Sequence, residues 1–322
     1  MRLAEMEDEL SAARTNKREF LKKLEEIILW EEFIKIIQSS YYKGEVGNKP
    51  YPLELMLRIF ILQNVYDLAD MAVMNEVIDS RAFSDFFCGV NSPDEVPNGD
   101  TIGRFCNILT ENGIQEKIFA KVVKILTKRK LILKKGTIVD STFIESPSST
   151  KNKEKKRDPE AHSGKKGNTW HFGYKAHIGV DKKTGLVHHL KTTAANEHDV
   201  TVVPELLTGK ENTIYGDSGY LGAEKRPEAI LKNKKGKKIK YKINQRLSMI
   251  RKLSEKEQEK AKKKEHKKSS MRCKVEHVFA VVKHIFHYRK TRYRGLKKQA
   301  AKQNIVFALA NLYLADRFSL SV

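Results

Sequence analysis

Cysteine is scarce in this chain: three in 322 residues, Cys88, Cys106 and Cys273, scattered with no metal-ligand spacing. That scarcity argues against a disulfide framework and for a reduced, intracellular compartment. The histidines have no cysteine partners and no HExxH arrangement, so a zinc site is not expected. No G-x-x-x-x-G-K-[ST] loop is present, which argues against ATP-driven action. The longest apolar stretch, Ile305–Ala315, is too short to cross a bilayer. The opening MRLAEMEDEL is acidic and mixed, unlike the basic-then-apolar pattern of a signal peptide. An apolar fraction of 40% suits a charge-rich globular protein whose length allows one large domain or two.

What the chain has in excess is positive charge, net +22, and it is unevenly placed. Residues 1–130 carry 18 Lys+Arg against 21 Asp+Glu, a net of −3, so the remaining residues net +25. Residues 232–274 alone hold 19 basic and 4 acidic side chains. A field that strong and that local implies a polyanion. A membrane surface would need a bulky apolar face that these segments lack. Nucleic acid is therefore the expected partner.

Periodicity divides the chain. Residues 1–130 read as helical, with apolar positions at helical spacing through Phe20, Leu24, Ile27 and Ile28 and again through Phe33, Ile34 and Ile37. Gly44 to Pro52 breaks the pattern; helices are expected over Leu53–Asn64, Asp70–Ile78 and Ala82–Phe87, from Thr101 to about Asn112 and, separated from that one by Gly113, through Lys130. Such a series suits either a helix-turn-helix DNA reader or a dimerisation domain. Leu3, Met6 and Leu10 hint at a coiled coil over too few turns to assert one. Strands are expected at Thr137–Ile144, Phe172–Val180, Val187–Thr193, Thr213–Gly216 and Ile239–Ile243, and helices at Asp199–Leu207, Ala223–Asn233, Leu247–Lys268, Ser270–His287 and Lys298–Arg317. A β-meander followed by helix, strand, helix, strand, helix is the order of a ribonuclease-H-like α/β fold, a mixed five-stranded sheet with flanking helices behind an all-α region. The domains are expected at 1–130 and 131–322, with a basic helical insertion at about 245–270. The loop Ser146–His171 carries seven Lys or Arg and three acids, and is expected to be mobile until DNA orders it.

Two aspartates lie in strand-like settings: Asp140 in GTIVDSTFIES and Asp217 in NTIYGDSGYLG. A carboxylate in a strand is costly unless it is paired, hydrogen-bonded or bound to metal. The topology makes the first and fourth strands parallel neighbours, which brings the two acids side by side. In RCKVEHVFAVVK, Glu276 and Lys283 share a helix face at seven-residue spacing, with Arg272 on nearly the same face. Three carboxylates meeting from two strands and a helix would hold two Mg²⁺ ions roughly 3.5–4 Å apart, the geometry of in-line phosphodiester chemistry. After this helix, Tyr288-Arg289-Lys290-Thr291-Arg292-Tyr293-Arg294 interleaves cations with aromatics, which suits phosphate contact plus base stacking. Serine-recombinase chemistry lacks a basic setting at Ser141 and Ser218; Tyr288 or Tyr293 as a nucleophile is a weak rival.

These segments, together with YPLELMLRIFILQ, PSSTKNKEKKRDPEAHSGKKGNTWHFGYKAHIGVDKKTGLVH, TAANEHDVT, RYRGL and NIVFALANLYLA, resemble the DDE transposases of bacterial insertion sequences, specifically the insertion-sequence 5 group. The resemblance runs from about residue 16 to about residue 318. It implies a catalytic, metal-holding triad of Asp140, Asp217 and Glu276, loaded with Mg²⁺ or, as a substitute, Mn²⁺. Its C-terminal signature maps onto Arg272, Glu276 and Lys283, with Ser269 where the family has Tyr. It further implies hydrolysis at transposon ends and transfer of the 3′-OH into target DNA by a dimer or larger assembly, in the bacterial cytoplasm at the nucleoid. DNA contacts are expected from Arg272, Lys283, Arg289, Arg292, Tyr293, Arg294, Lys165, Lys166 and Trp170. The alternative is a DNA-binding protein or nuclease without strand transfer.

Overall fold

The computed structural model describes residues 14–41, 49–90 and 92–319. Its contacts group into two units, Met1–Ile118 and Phe119–Val322. The expected coiled coil around Leu3, Met6 and Leu10 lies outside the described residues.

The first unit is helical: α1 (Asn16–Ile27), α2 (Trp30–Tyr41), α3 (Leu53–Val65), α4 (Asp70–Asp79), α5 (Arg81–Phe86) and α6 (Gly99–Glu111). Thr15 caps α1 and Asn98 caps α6, each side-chain oxygen accepting from a backbone N–H of the first turn. Every residue of α3 from Met56 to Val65 is buried. A helix buried nearly all round belongs in a core, so α3 presents no free face from Met56 to Val65 to read DNA. Arg58 tolerates burial there because its guanidinium forks onto Glu25 and Glu54 at 2.7–2.9 Å and lies over the Trp30 ring. The helix α7 (Ile114–Lys128) carries the chain into the second unit.

The second unit holds a mixed sheet of β1 (Gly136–Glu145), β2 (His162–Lys166), β3 (Thr169–Asp181), β4 (Val187–Ala194), β5 (Thr213–Gly216) and β6 (Lys240–Ile243). β3 runs antiparallel to β1 along one edge and to β2 and β4, end to end, along the other. β1, β5 and β6 are parallel. This is the α/β architecture expected of a ribonuclease-H-like fold, with six strands instead of five. The added strand, β2, lies inside the long loop that was expected to lack structure of its own. A two-residue turn, Gly167-Asn168, closes its hairpin with β3, and Gly167 supplies the positive φ (61°).

One face of the sheet buries Val139, Ile214 and Ile243 against Val202, Leu206 and Tyr220. On the other lies α10 (Glu255–Ala280), packed against β1 and β5, while α11 (Leu296–Ser319) packs against β4. Two expected helices are shorter than their sequences suggested. Asp199–Leu207 is one α-turn, α8 (Asp199–Val202), then a 3₁₀ turn, because Pro204 lacks the N–H to continue. Ala223–Asn233 is only a 3₁₀ turn at Ala223–Lys225, stopped before Pro227. Conversely, the charged segment and the Glu276 segment form one helix. After the short α9 (Leu247–Ile250), α10 starts from a Ser254/Glu257 capping box and runs unbroken into a π-turn at Val281–Ile285.

Candidate active site

The sheet builds the site. β1 and β5 pair in register Gly136↔Thr213, Thr137↔Ile214 and Ile138↔Tyr215, a constant offset of 77. Two residues further on, the same offset sets Asp140 beside Asp217. Successive side chains of a strand alternate faces, so Asp140 projects opposite Val139 and toward α10. Asp140 Oδ1 accepts from the Ser141 N–H at 2.8 Å, and Oδ2 faces Arg272 Nη2 at 3.4 Å. Asp217 directly follows β5 and caps the turn Ser218–Tyr220, its Oδ1 accepting from the Gly219 N–H at 2.8 Å.

Burial pushes the Asp140 carboxyl up to about 6; Arg272, the Ser141 N–H and Lys166 hold it back, and the charge of Asp217 adds to the rise. Two acids in mutual repulsion, one of them largely withdrawn from water, form a hard-oxygen donor set short of positive charge. A divalent cation fits that deficit.

Glu276 stands one helical turn beyond Arg272 on α10, exposed to solvent. Among the described residues, no three His, Cys, Asp or Glu side chains stand close enough together to hold one ion. Asp140 and Asp217 are thus adjacent, and Arg272 of α10 joins them; Glu276, on the same helix as Arg272, does not close on the two aspartates.

A polar clamp that sequence reasoning missed fixes α10. Asn244, just past β6, donates to Glu265 Oε2 at 2.8 Å and to Ser269 Oγ at 3.3 Å, and accepts from Arg272 Nη1 at 3.3 Å. Lys268 Nζ bonds Glu265 Oε1 and the Ile243 carbonyl, both at 2.7 Å. Both members of the Glu265–Lys268 pair are only 13% exposed, which separates them from the solvated charges around them. Ser269, at the position where the family resemblance has Tyr, is thus part of this clamp. The i,i+3 acid–base spacing was visible, but nothing in so charged a run marked this pair as inward-facing.

The remaining candidates occupy three settings. Lys283 Nζ donates to the Phe143 carbonyl at 2.9 Å, and burial lowers its pKa, with Lys166 contributing. Lys165 lies over the ring of Trp170, its partner across the β2–β3 hairpin, and Trp170 is 66% exposed. Residues 289–291 run along the end of β1, with Glu145 N–H donating to Arg289 O and Thr291 N–H to Glu145 O. Arg289 donates to Lys283 O and contacts His284; Arg294 pairs with Glu154 of the long loop; Arg292 is exposed and Tyr293 half-buried. Together the loop and this segment line a cavity of about 270 Å³, with Arg157 and Arg292 among its walls. Tyr288 is 1% exposed with its hydroxyl donating to Gln299, which removes it as a nucleophile.

Residues 132–312 match the family model described as Transposase DDE domain, and residues 8–107 match the one described as Transposase domain (DUF772). No solved structure matches the chain. Among the described residues, no helix is long and apolar enough to cross a membrane. A parallel strand pair carrying adjacent aspartates, a basic helix crossing it, and a match over more than half the length lead to one conclusion: this chain belongs to the DDE transposase family.

Proposed function

We propose that this transposase is of the insertion-sequence 5 group, and that it hydrolyses a phosphodiester at each transposon end and then joins the freed 3′-OH to target DNA. The observation carrying this reading is the register that sets Asp140 beside Asp217. In it, Asp140 and Asp217 hold divalent ions from the sheet, and Glu276 completes the set from α10 when the helix and its DNA come together. Mg²⁺, or Mn²⁺ in its place, when bound supplies activation of the attacking oxygen and charge for the leaving one.

The chain's own residues do the rest. Arg272, already at the Asp140 carboxylate, swings its guanidinium to the scissile phosphate once other positive charge balances the acid. Lys283 and Lys166 give the same phosphate region a positive rim. Lys165, Arg289, Arg292 and Arg294 hold neighbouring phosphates, while Trp170 and Tyr293 stack on unpaired bases. Each step hydrolyses or exchanges a phosphodiester, so no nucleotide cofactor is required. The helical N-terminal domain, 1–130, binds DNA or pairs protomers, and residues 131–322 are the catalytic domain. The working form is at least a dimer, because two ends must be joined.

A strand-transfer assay with terminal-repeat duplexes and Mg²⁺ tests the reading. Joined products support it. Cleaved ends that never join would leave a nuclease, and binding without cleavage would leave a DNA-binding descendant.

A further inference from the structure

The helix α10 has a second charged face that the active site does not use. Lys256, Lys260, Lys263 and Lys267 are all exposed. Their spacing of i, i+4, i+7 and i+11 keeps them within an arc of about 60° over about 16 Å of helix. Arg272 and Glu276 project from the opposite side, about 180° round the same helix. Gln258, Ala261, Glu265 and Lys268 turn inward instead. None of the four stripe lysines forms an ion pair among the described residues, and two acids of the helix are already engaged, Glu257 in the capping box and Glu265 by Lys268 and Asn244.

A separate feature extends the stripe. Lys274, seven residues beyond Lys267, lies on the same arc and donates to the carbonyls of Lys182 and Lys183. There it borders a groove of about 500 Å³ lined also by Lys135, Lys182 and Met271, at the start of β1. The one acid in that groove, Asp181, accepts the backbone N–H groups of Leu133, Lys134, Lys183 and Thr184, so its charge is committed to the turn.

From this we infer that the outer face of α10 and the groove beyond it bind a second duplex, the target DNA, separately from the end being cut. A duplex of the stripe's length carries about ten phosphate charges, ample for four lysines. Lysine ammoniums meet phosphates as point charges and read no base edges, which suits a partner held without regard to sequence. Identifying the polyanion as target DNA rests on the proposed function; the binding surface itself does not.

The test is the fourfold variant K256Q/K260Q/K263Q/K267Q, in which glutamine keeps helix propensity. Binding to a 30-base-pair duplex without terminal repeats, measured without metal, should weaken, and the slope of log K against log salt should fall by about 3–4. Binding and cleavage of terminal-repeat duplexes should stay unchanged, and strand transfer from pre-cut ends should drop at least tenfold. The fourfold arginine variant should behave as wild type. If the glutamine variant loses its helical signal, K256Q/K260Q replaces it, with a slope change of about 2. An unchanged slope would make the stripe a solvated face, and equal losses on repeat-bearing and repeat-free duplexes would assign it to the ends; either result overturns the inference. Because repeat-free binding is read without cleavage, an inactive wild type would refute the proposed function and leave this result standing.

Discussion

Arg272 Nη2 stands 3.4 Å from Asp140 Oδ2, the strand carboxylate that burial pushes up to about 6. The guanidinium is the strongest counter-charge on this acid, and it comes from the helix that also carries Glu276. Strand acid, helix cation and third acid are therefore mechanically joined: moving α10 moves both Arg272 and Glu276 relative to Asp140.

The raised Asp140 carboxyl has a stability signature. Its folded value lies above its unfolded one, so folding is penalised while the group is ionised. The penalty is full above about pH 6 and gone below about pH 4. Asp140→Asn should therefore stabilise the metal-free protein by about 3 kcal/mol at pH 7.5 and by almost nothing at pH 3.5. Denaturant titrations at the two pH values check this; a gain that persists at pH 3.5 would point to packing instead of charge.

End cleavage by the wild type at subsaturating Mg²⁺ should fall as pH drops through about 6, because protonation of Asp140 competes with cation binding; saturating Mg²⁺ should move the midpoint down. Arg272→Gln removes the main opposing charge, so its pH–rate midpoint should move upward. A profile unmoved by that substitution would separate Arg272 from the carboxyl.

Lys283→Ala should weaken duplex binding regardless of sequence and lower the salt slope by about one. Its Nζ–Phe143 carbonyl bond uses one of three ammonium protons, leaving two for phosphate. An unchanged slope would mean that its charge serves only the helix–strand contact.

Trp170 and Trp30 are the two tryptophans; Trp30 sits against Arg58 in the helical unit, whereas Trp170 is 66% exposed. DNA should quench the Trp170 emission, and Trp170→Ala should cost about 1–3 kcal/mol of single-strand binding at little cost in stability. Fluorescence titration of the wild type reads the quench, and single-strand binding and denaturant titrations of the Trp170→Ala variant read the two costs; an unquenched wild type would exclude stacking there.

Much of the site was legible because it depends on topology. Short β-branched runs around Asp140 and Asp217, and a helical apolar stripe behind Glu276, set strand order and helix face without side-chain detail. Other features had signals that other patterns masked. Pro204 and Pro227 truncate two expected helices, and Gly167-Asn168 is a hairpin turn inside a loop whose length suggested mobility. The π-turn at Val281–Ile285 had no visible cue. It follows from how α10 meets the end of β1, where the Lys283 ammonium finds the Phe143 carbonyl, and such tertiary demands leave no local pattern.

The most direct measurement replaces Asp140, Asp217 and Glu276 by cysteine, one at a time, and follows end cleavage in Mg²⁺ and in Mn²⁺. Thiolates disfavour Mg²⁺ and accept softer ions. Each variant should lose cleavage in Mg²⁺ while retaining terminal-repeat binding, and regain it in Mn²⁺. Wild-type cleavage by Glu276→Cys in Mg²⁺ would contradict a shared cation site and leave the two strand aspartates alone.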